Sequence, residues 1–571
     1  MNERNTLSKV NNRKERNYPY FPWGILGCVI VFFGVIVHVY LPNLGGAGLS
    51  LPLNIITGFF ISFLIVLINV IKINKNYYHY SVSGNFISIG LIILILLCFV
   101  SPREYQYNAY LTAYWLVGAL LFYQVLMQVY ISKTGFEIIL WGILSACFIE
   151  SILVIAEVFN LLPILWLPYP PVFEGRPYGI FQQVNVLSSF VCTGIASAIG
   201  LLMIIRDIKW YSFFAIIFSL ILISAILPLT QSLTGYLSLF LIIIVFYFFA
   251  KYHRRKFLYA FSAIIIGIII GHGVKIGVNI PDFTESKLQT SHIRWILWQY
   301  SLVLFSENIL LGTGVGSFET VFLDRFGGAL LGVGEKTFSH PHNEILRWVV
   351  EGGLIGISAV LCILLGGLYL MRTSLRNKNK NYICLFIASP IVLHMMTEFP
   401  LLVSMPHGVI LILLLRCADI PAKKFKLNTV VSYLLKGIAI ISGSVSMVLL
   451  YFTLQTQQYL TYIERTGQQF ILSLGEAKYN HWQYVLINDR YQLDLNMGYL
   501  LNYNNTQDFR YLNLFKNWAE LYSRSYPDVN VYYSWILVLD MLGEKEEMNR
   551  VIKKAIYLFG EDERIEQLSV N

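Results

Sequence analysis

The chain is predicted to be an all-α polytopic membrane protein, with about 13 transmembrane helices, a large outer loop and a small helical domain at its C-terminus. Three observations predict this. Hydrophobic residues make up 56% of the 571 positions and charged residues only 13%, with a mean hydropathy of +0.60, which no soluble chain of this size sustains. Apolar runs of about 17–25 residues recur along the sequence, the length a helix needs to cross a bilayer. The basic residues, finally, fall on alternate connecting loops.

Residues 1–22 form a polar tail carrying Arg4, Lys9, Arg13, Lys14 and Arg16. The tail is too long and too charged for a cleavable signal peptide, and it enters an apolar run without a small-residue cleavage site. The first membrane helix is therefore placed at 23–41. Further helices are expected at 51–71, 87–100, 109–130, 136–159, 179–205, 210–228, 234–250, 257–278, 347–370, 381–397, 405–416 and 430–453, the third and twelfth being short. Alternation assigns 1–22, 72–86, 131–135, 206–210, 251–256, 371–381 and 416–430 to one face. Those loops hold 22 Lys and Arg, whereas the short loops opposite hold Arg103 and Arg176 alone. Cytoplasmic loops collect Lys and Arg, so the N-terminus is expected in the cytoplasm. The net charge of +9 then has a topological origin and gives no support to a nucleic-acid partner.

The same alternation divides the chain into a cytoplasmic tail (1–22), a membrane domain (23–453) with a large outer loop at 279–346, and an outer C-terminal domain (454–571). The last carries 11 Lys and Arg against 15 Asp and Glu, a clear compositional break. Its amphipathic stretches at Trp518–Tyr522 and Trp535–Leu539, punctuated by Tyr526-Pro527 and Leu542-Gly543, read as helix–turn–helix pairs similar to tetratricopeptide hairpins. Such a domain would contact a protein partner or brace the membrane bundle. The seven cysteines lie in or beside apolar runs without metal-ligand spacing and are expected to be packing residues.

The densest polar cluster is Ser339-His340-Pro341-His342-Asn343-Glu344, at the mouth of an apolar helix that carries Gly353 and Gly356. Polar groups beside lipid are expensive, so a functional reason for them is expected. A neutral imidazole with a pKa near 6.5 can take a proton from a hydroxyl at neutral pH, which makes His342 the candidate general base. Asn343 could orient an acceptor or the ring, and Glu344 could fix the ring's tautomer or belong to the acceptor site. Pro341 is expected to point His340 away from His342. Gly353 and Gly356 are expected to let helices pack closely.

Three arginines stand at outer helix ends. The planar, permanently charged guanidinium suits phosphate oxygens, although a lone outer arginine more often meets lipid headgroups. Arg176 is followed by Gln183 and Asn185, whose amides in an apolar helix should face a cavity or another helix. Arg294 has Trp295 and Trp298 beside it, as on a helix lying at the membrane surface; Arg103 is the weakest of the three. Glu150 and Glu157 share one helix face and favour a structural polar patch. His394 and Glu398, four apart, should meet on one face of a helix that Pro400 ends or kinks, as a cavity wall or a structural hydrogen bond. Gly312-x-Gly314-x-Gly316 has no βαβ context for a nucleotide and is expected to form a tight turn. No Asp, Glu and His set has convincing metal spacing, so neither metal nor cofactor is expected.

Taken in order, these segments resemble one family. Arg176-x-x-Gly179-x-x-x-Gln183-x-Asn185, Arg294-x-x-x-Trp298 ahead of Gly312-Thr313-Gly314-Val315-Gly316, and His342-Asn343-x9-Gly353-x-x-Gly356 are similar to motifs of the O-antigen ligase superfamily. His394-Met395-Met396-Thr397-Glu398-Phe399-Pro400-Leu401 and the acidic tail around Ser525-Tyr526-Pro527 and Leu542-Gly543-Glu544 resemble its PglL-type O-linked protein oligosaccharyltransferases. The chain departs from the pattern at Val184, where proline is common, and at Leu233, where an arginine often stands.

The resemblance implies a multi-pass enzyme of the Gram-negative inner membrane, acting in the periplasm among membrane lipids. Its donor would be an undecaprenyl-diphosphate-linked oligosaccharide and its acceptor a Ser or Thr of a pilin-like protein. Arg176, Arg294, Gln183 and Asn185 would bind the donor diphosphate; His342, Asn343 and Glu344 would carry the chemistry. His340, His394, Glu398 and Arg103 would line the cavity or acceptor site. The competing readings are an O-antigen ligase acting on lipid A-core, an O-antigen polymerase, a polysaccharide flippase or transporter, and a non-catalytic scaffold. Glu398-Phe399-Pro400 and the C-terminal domain favour a protein acceptor.

Overall fold

The computed structural model describes residues 23–71, 77–161, 175–249, 253–331, 338–376, 380–421, 423–467 and 480–570, apart from the side chains of 284–291, 380, 569 and 570. The expected tail at 1–22 lies outside these residues. The helices run in the order α1 (Trp23–Gly34), α2 (Pro52–Ile71), α3 (Val82–Phe99), α4 (Gln106–Met127), α5 (Lys133–Val158), α6 (Val184–Ile204), α7 (Trp210–Thr230), α8 (Leu233–Phe249), α9 (Arg254–Gly277), α10 (Thr284–Glu307) and α11 (Phe318–Leu330). They continue with α12 (Glu344–Arg376), α13 (Ile383–Met395), α14 (Pro400–Val403), α15 (Met405–Ala418) and α16 (Thr429–Thr466). The C-terminal part holds α17 (His481–Tyr484), α18 (Asn488–Thr506), α19 (Phe509–Tyr522), α20 (Val529–Leu542), α21 (Lys545–Phe559) and α22 (Glu563–Val570).

This is an all-α polytopic membrane protein. Among the described residues nine helices are long and apolar enough to cross a membrane: α2 to α7, α9, α12 and α16. The other four expected spans correspond to α1, α8, α13 and α15, which are apolar but shorter, so length and composition qualify nine rather than about 13. The chain forms two compact units, one drawn from residues up to 88, 118–282 and 364–451, the other from 89–117, 283–363 and 452–571.

The first unit is organised by α6, every residue of whose membrane-length window is buried. Small residues make this possible: a Cβ on Gly194 would lie 2.5 Å from the Cys147 Cβ, and one on Gly200 would lie 2.9 Å from Ile387. Gly267 and Gly271 of α9 likewise leave no room for a side chain against the carbonyls of Ile221 and Ala225 on α7. Close backbone approach of this kind replaces the hydrophobic effect as the packing force between helices in lipid. Five of the seven cysteines are buried and all are free thiols, as packing residues should be.

Contacts within this unit bear on the alternation of loops. A two-stranded sheet that the hydropathy pattern did not foretell pairs β1 (Tyr77–Tyr80) antiparallel with β2 (Lys423–Lys426). Arg416 donates to the carbonyl of Leu126 at 2.8 Å, and Lys256 donates to the carbonyl of Ile205 at 2.7 Å. Loops assigned to one face therefore lie together. At the opposite helix ends Asn54 donates to the carbonyl of Val403 and Gln231 to that of Pro281.

The second unit has its own core. Phe318, Phe322 and Phe326 of α11 are buried with Leu512 and Phe515 of α19 and with Trp535, Ile536 and Leu539 of α20. Helices α18 to α22 each pack on their sequence neighbours. Asp528 caps α20 by accepting from the Asn530 and Val531 amides, and Gly543 closes that helix at φ +76°. The span 279–346, read from sequence as a loop, contains α10 and α11; their polar faces depress hydropathy below a membrane signal.

Glu319 opens α11, and burial together with the carboxylate of Asp528 pushes its carboxyl up to about 7. The folded state thus favours the protonated form. Its contribution to stability is full below the ordinary value of 4.5 and is lost as pH rises through about 7. Glu319→Gln should raise the melting temperature at pH 8 by about 2–4 °C and leave it unchanged at pH 4.5. An equal shift at both pH values in thermal unfolding of the detergent-purified protein would contradict the assignment.

Candidate active site

The candidate residues divide between the two units. In the first, two buried carboxylates hold the segment that carries Arg176. Glu150 accepts from the Ile180 amide at 2.7 Å and Glu157 from the Gly179 amide at 3.0 Å. The second oxygen of Glu150 lies 3.1 Å from His38 Nδ1. Gly179 sits at φ +56°, and any side chain there would run into Glu150. The turn around Gly179, with Gln182 left-handed at φ +55°, also explains why the helix expected over 179–205 begins at Val184.

Gln183 and Asn185 converge on one carboxylate. Gln183 Nε2 donates to Glu398 Oε2 at 2.8 Å, and Asn185 Nδ2 donates to Glu398 Oε1 at 2.6 Å. Ser232 donates to Asn185 Oδ1 at 2.6 Å. Glu398 is only 3% exposed, and these charge-assisted bonds offset the cost of burying it. His394 Nε2 faces the same carboxylate at 3.5 Å. From His394 a buried line continues: Nδ1 is 2.8 Å from Ser189 Oγ, which is 3.1 Å from His407 Nε2, and His407 Nδ1 is 2.8 Å from Ser404 Oγ. Ser189 Oγ also lies 3.0 Å from the Val186 carbonyl, and His394 Nε2 stands near Glu398 without a hydrogen bond to it.

His394 and Glu398 meet, as their four-residue spacing requires, but on a turn rather than a helix. α13 ends at Met395, the Glu398 amide donates to the His394 carbonyl at 2.8 Å, and Pro400 opens α14 instead of ending α13. Sequence reasoning missed Ser189, Ser232, Ser404 and His407. Of these His407 alone left a signal, an imidazole in an apolar run. Replacing Glu398 by Gln would set an amide N–H against either Gln183 or Asn185, at a cost of about 1–3 kcal/mol. A melting temperature unchanged from wild type would show that Glu398 does not hold the two amides.

In the second unit, Trp298 Nε1 donates to the Pro341 carbonyl at 3.0 Å. Arg294 is one turn earlier on the same face of α10. His342 sits at φ +50°, a left-handed conformation uncommon outside glycine. Its amide donates to His340 Nδ1 at 3.1 Å, and His340 Nε2 lies 4.0 Å from Glu344 Oε2. Pro341 therefore does not carry His340 away from His342, because the Pro341–His342 peptide presents its N–H to the first imidazole. Burial above all, and then the charges of Arg347 and His342, hold the His340 pKa well below its ordinary value. Asn343 Oδ1 accepts from the Leu346 amide at 3.0 Å and so caps α12. Arg103 is exposed in a turn, Arg103–Tyr105, ahead of α4.

α12 is two helices joined at Gly353, whose φ of +56° and ψ of −145° interrupt it. The Val350 and Glu351 carbonyls left open at the break accept from the Thr313 and Gly314 amides, both at 3.0 Å, and the Leu354 amide donates to the Ile309 carbonyl at 2.8 Å. Gly312, Gly314 and Gly316 all have positive φ, and the tight turn they form supplies these donors. Gly353 and Gly356 thus serve a break in one helix, closed by the glycine turn, instead of the packing of two helices. Arg347 pairs with the buried Glu351 at 3.0 Å, and Glu351 also accepts from the Phe318 amide. Among the described residues no group of three His, Cys, Asp or Glu side chains has the geometry to hold a metal ion.

Three family models match the chain: O-antigen ligase over residues 218–361, virulence factor membrane-bound polymerase (C-terminal) over 382–570, and protein glycosylation ligase over 177–202. Each match covers less than half of the chain, and together they support its being a PglL-type member of the O-antigen ligase superfamily. As such it is a glycan-transferring membrane enzyme. The O-antigen ligase match takes in Arg294, the His342 loop and the broken helix. The protein glycosylation ligase match holds Gln183, Asn185 and Ser189, and the third match holds His394, Glu398 and α18 to α22. No curated protein matches the chain.

Proposed function

We propose that this PglL-type protein is an O-linked oligosaccharyltransferase that moves a glycan en bloc from undecaprenyl diphosphate to Ser or Thr of a pilin-like protein in the periplasm. The observation that carries the reading is His342, held left-handed at the capped start of a broken helix inside the O-antigen ligase match. The charge asymmetry of 22 basic residues against two supports an N-terminus in the cytoplasm, with residues 279–346 and 454–571 in the periplasm.

Arg176 and Arg294 supply the fixed positive charge that a diphosphate leaving group needs. Gln183 and Asn185, held by Glu398, orient amide groups toward the donor. His342 takes the proton of the acceptor hydroxyl. The hydroxyl oxygen attacks the anomeric carbon, the bond from that carbon to the phosphate oxygen breaks, and the lipid diphosphate leaves with the electron pair. The proton on His342 then passes to solvent. No nucleotide is consumed, because the glycosyl phosphate bond carries the activation, and we propose that arginine charge makes a metal unnecessary.

The O-antigen ligase match over 218–361 keeps transfer to lipid A-core as a second reading. The two are separated by expressing the protein in a glycosylation-negative Gram-negative host with a lipid-linked glycan pathway and candidate pilins. A glycan-sized mass increment on a pilin is the expected result. Glycan on lipid A-core with every pilin unmodified would move the assignment to the lipid acceptor.

A further inference from the structure

We infer that His340 is a positioning residue that sets the backbone of His342 through an Nδ1 acceptor; the inference rests on the reading of His342 as the reacting base. The loop is fixed at both ends. Trp298 holds the carbonyl of Pro341, and Asn343 caps α12. Between them only His342 departs from ordinary backbone geometry, at φ +50°. The Pro341–His342 peptide plane is held on both sides, its carbonyl by Trp298 Nε1 at 3.0 Å and its N–H by His340 Nδ1 at 3.1 Å.

An imidazole nitrogen that accepts an N–H must be unprotonated, so the proton of a neutral His340 sits on Nε2. The surroundings select this tautomer. Glu344 Oε2 lies 4.0 Å away on the Nε2 side, and the ring is 4% exposed with Arg347 one turn along the helix from Glu344, which disfavours a second proton. His340 is thereby kept as an acceptor, and the His342 ring is carried on a peptide plane whose N–H stays anchored as long as that bond is kept.

Two substitutions of one chemical class separate this role from simple space filling. His340→Asn places Oδ1 where Nδ1 stands and keeps the acceptor; His340→Gln is nearer to histidine in length but carries its oxygen one atom too far out. The full-length protein is purified in detergent, its folded fraction isolated by gel filtration, and diethyl pyrocarbonate labelling of His342 followed by peptide mass spectrometry. Transfer kinetics are measured on the same samples. His340→Asn should label His342 within about threefold of wild type and keep its turnover, whereas His340→Gln should change labelling about fivefold or more. It should also lower kcat about 100-fold with little change in KM. Gln behaving as wild type, or Asn and Gln failing alike, overturns the inference. The labelling reports on the loop whether or not a pilin is glycosylated, so absence of transfer by the wild type counts against the function and not against the role of His340.

Discussion

Replacing His342 by alanine is expected to lower glycan transfer by about 10²–10⁴-fold, the range over which a positioned general base acts, while the protein stays folded. The side chain is half-buried at the start of α12, and its own amide, not its ring, makes the bond to His340. Alanine keeps that amide, keeps the Asn343 cap and leaves Arg347–Glu351 untouched. The loss should fall on kcat, because a base acts on the proton as it leaves and contributes little to ground-state binding. The measurement is the initial rate of mass increment on the acceptor at matched membrane abundance. Retention of more than about a tenth of the wild-type rate would remove His342 from proton transfer and leave it an acceptor-orienting group.

What the sequence discloses and what it conceals follow from the range of the signals. Hydropathy and loop charge are summed over many residues, so the all-α, multi-span architecture was legible without any contact. The break in α12 was not, because the apolar run continues through Gly353 and the helical period is hardly disturbed. Its two glycine motifs, 312–316 and 353–356, each had an ordinary local explanation, and only the structure brings Thr313 and Gly314 onto the Val350 and Glu351 carbonyls. Phe318, Phe322, Phe326 and Leu330 recur every four residues along α11, a helical period that the reading of 279–346 as a loop did not use.

The site shows the same division. Gln183, Asn185 and Glu398 each stood out as polar groups among apolar neighbours, but that two amides share one carboxylate is a fact of tertiary structure, across more than 200 positions of chain. A serine such as Ser189 is invisible because a membrane helix satisfies a hydroxyl on its own carbonyls, here that of Val186, so serine there carries little information. His340 was misplaced for a different reason. Proline restricts the residue before it and fixes its own φ, but the direction of the following N–H depends on the proline's ψ, which its ring leaves open.

Gly353→Ala should cost more than about 3 kcal/mol and leave little folded protein. Two penalties act together. The φ of +56° and ψ of −145° lie in a region that only glycine occupies freely. A Cβ there would also stand 2.5 Å from the Gly312 nitrogen and 2.6 Å from the carbonyl oxygens of Ile309 and Leu310. All three are backbone atoms and cannot rotate aside. Gly367, further along the same helix, has open space around it, so Gly367→Ala should melt at or above the wild-type temperature in a parallel unfolding experiment. A Gly353→Ala variant melting within about 2 °C of wild type would mean that α12 is not broken at this position. The approach can also be tested from its other side, since a Cβ on Gly312 would lie 2.5 Å from the carbonyl oxygens of Val350 and Glu351. Both substitutions push the 309–314 turn off the same helix end. Once one has displaced it, the second has little left to disrupt, so the double variant should be destabilised by about as much as the worse single one. Full additivity would show instead that the two glycines act on separate features of the fold.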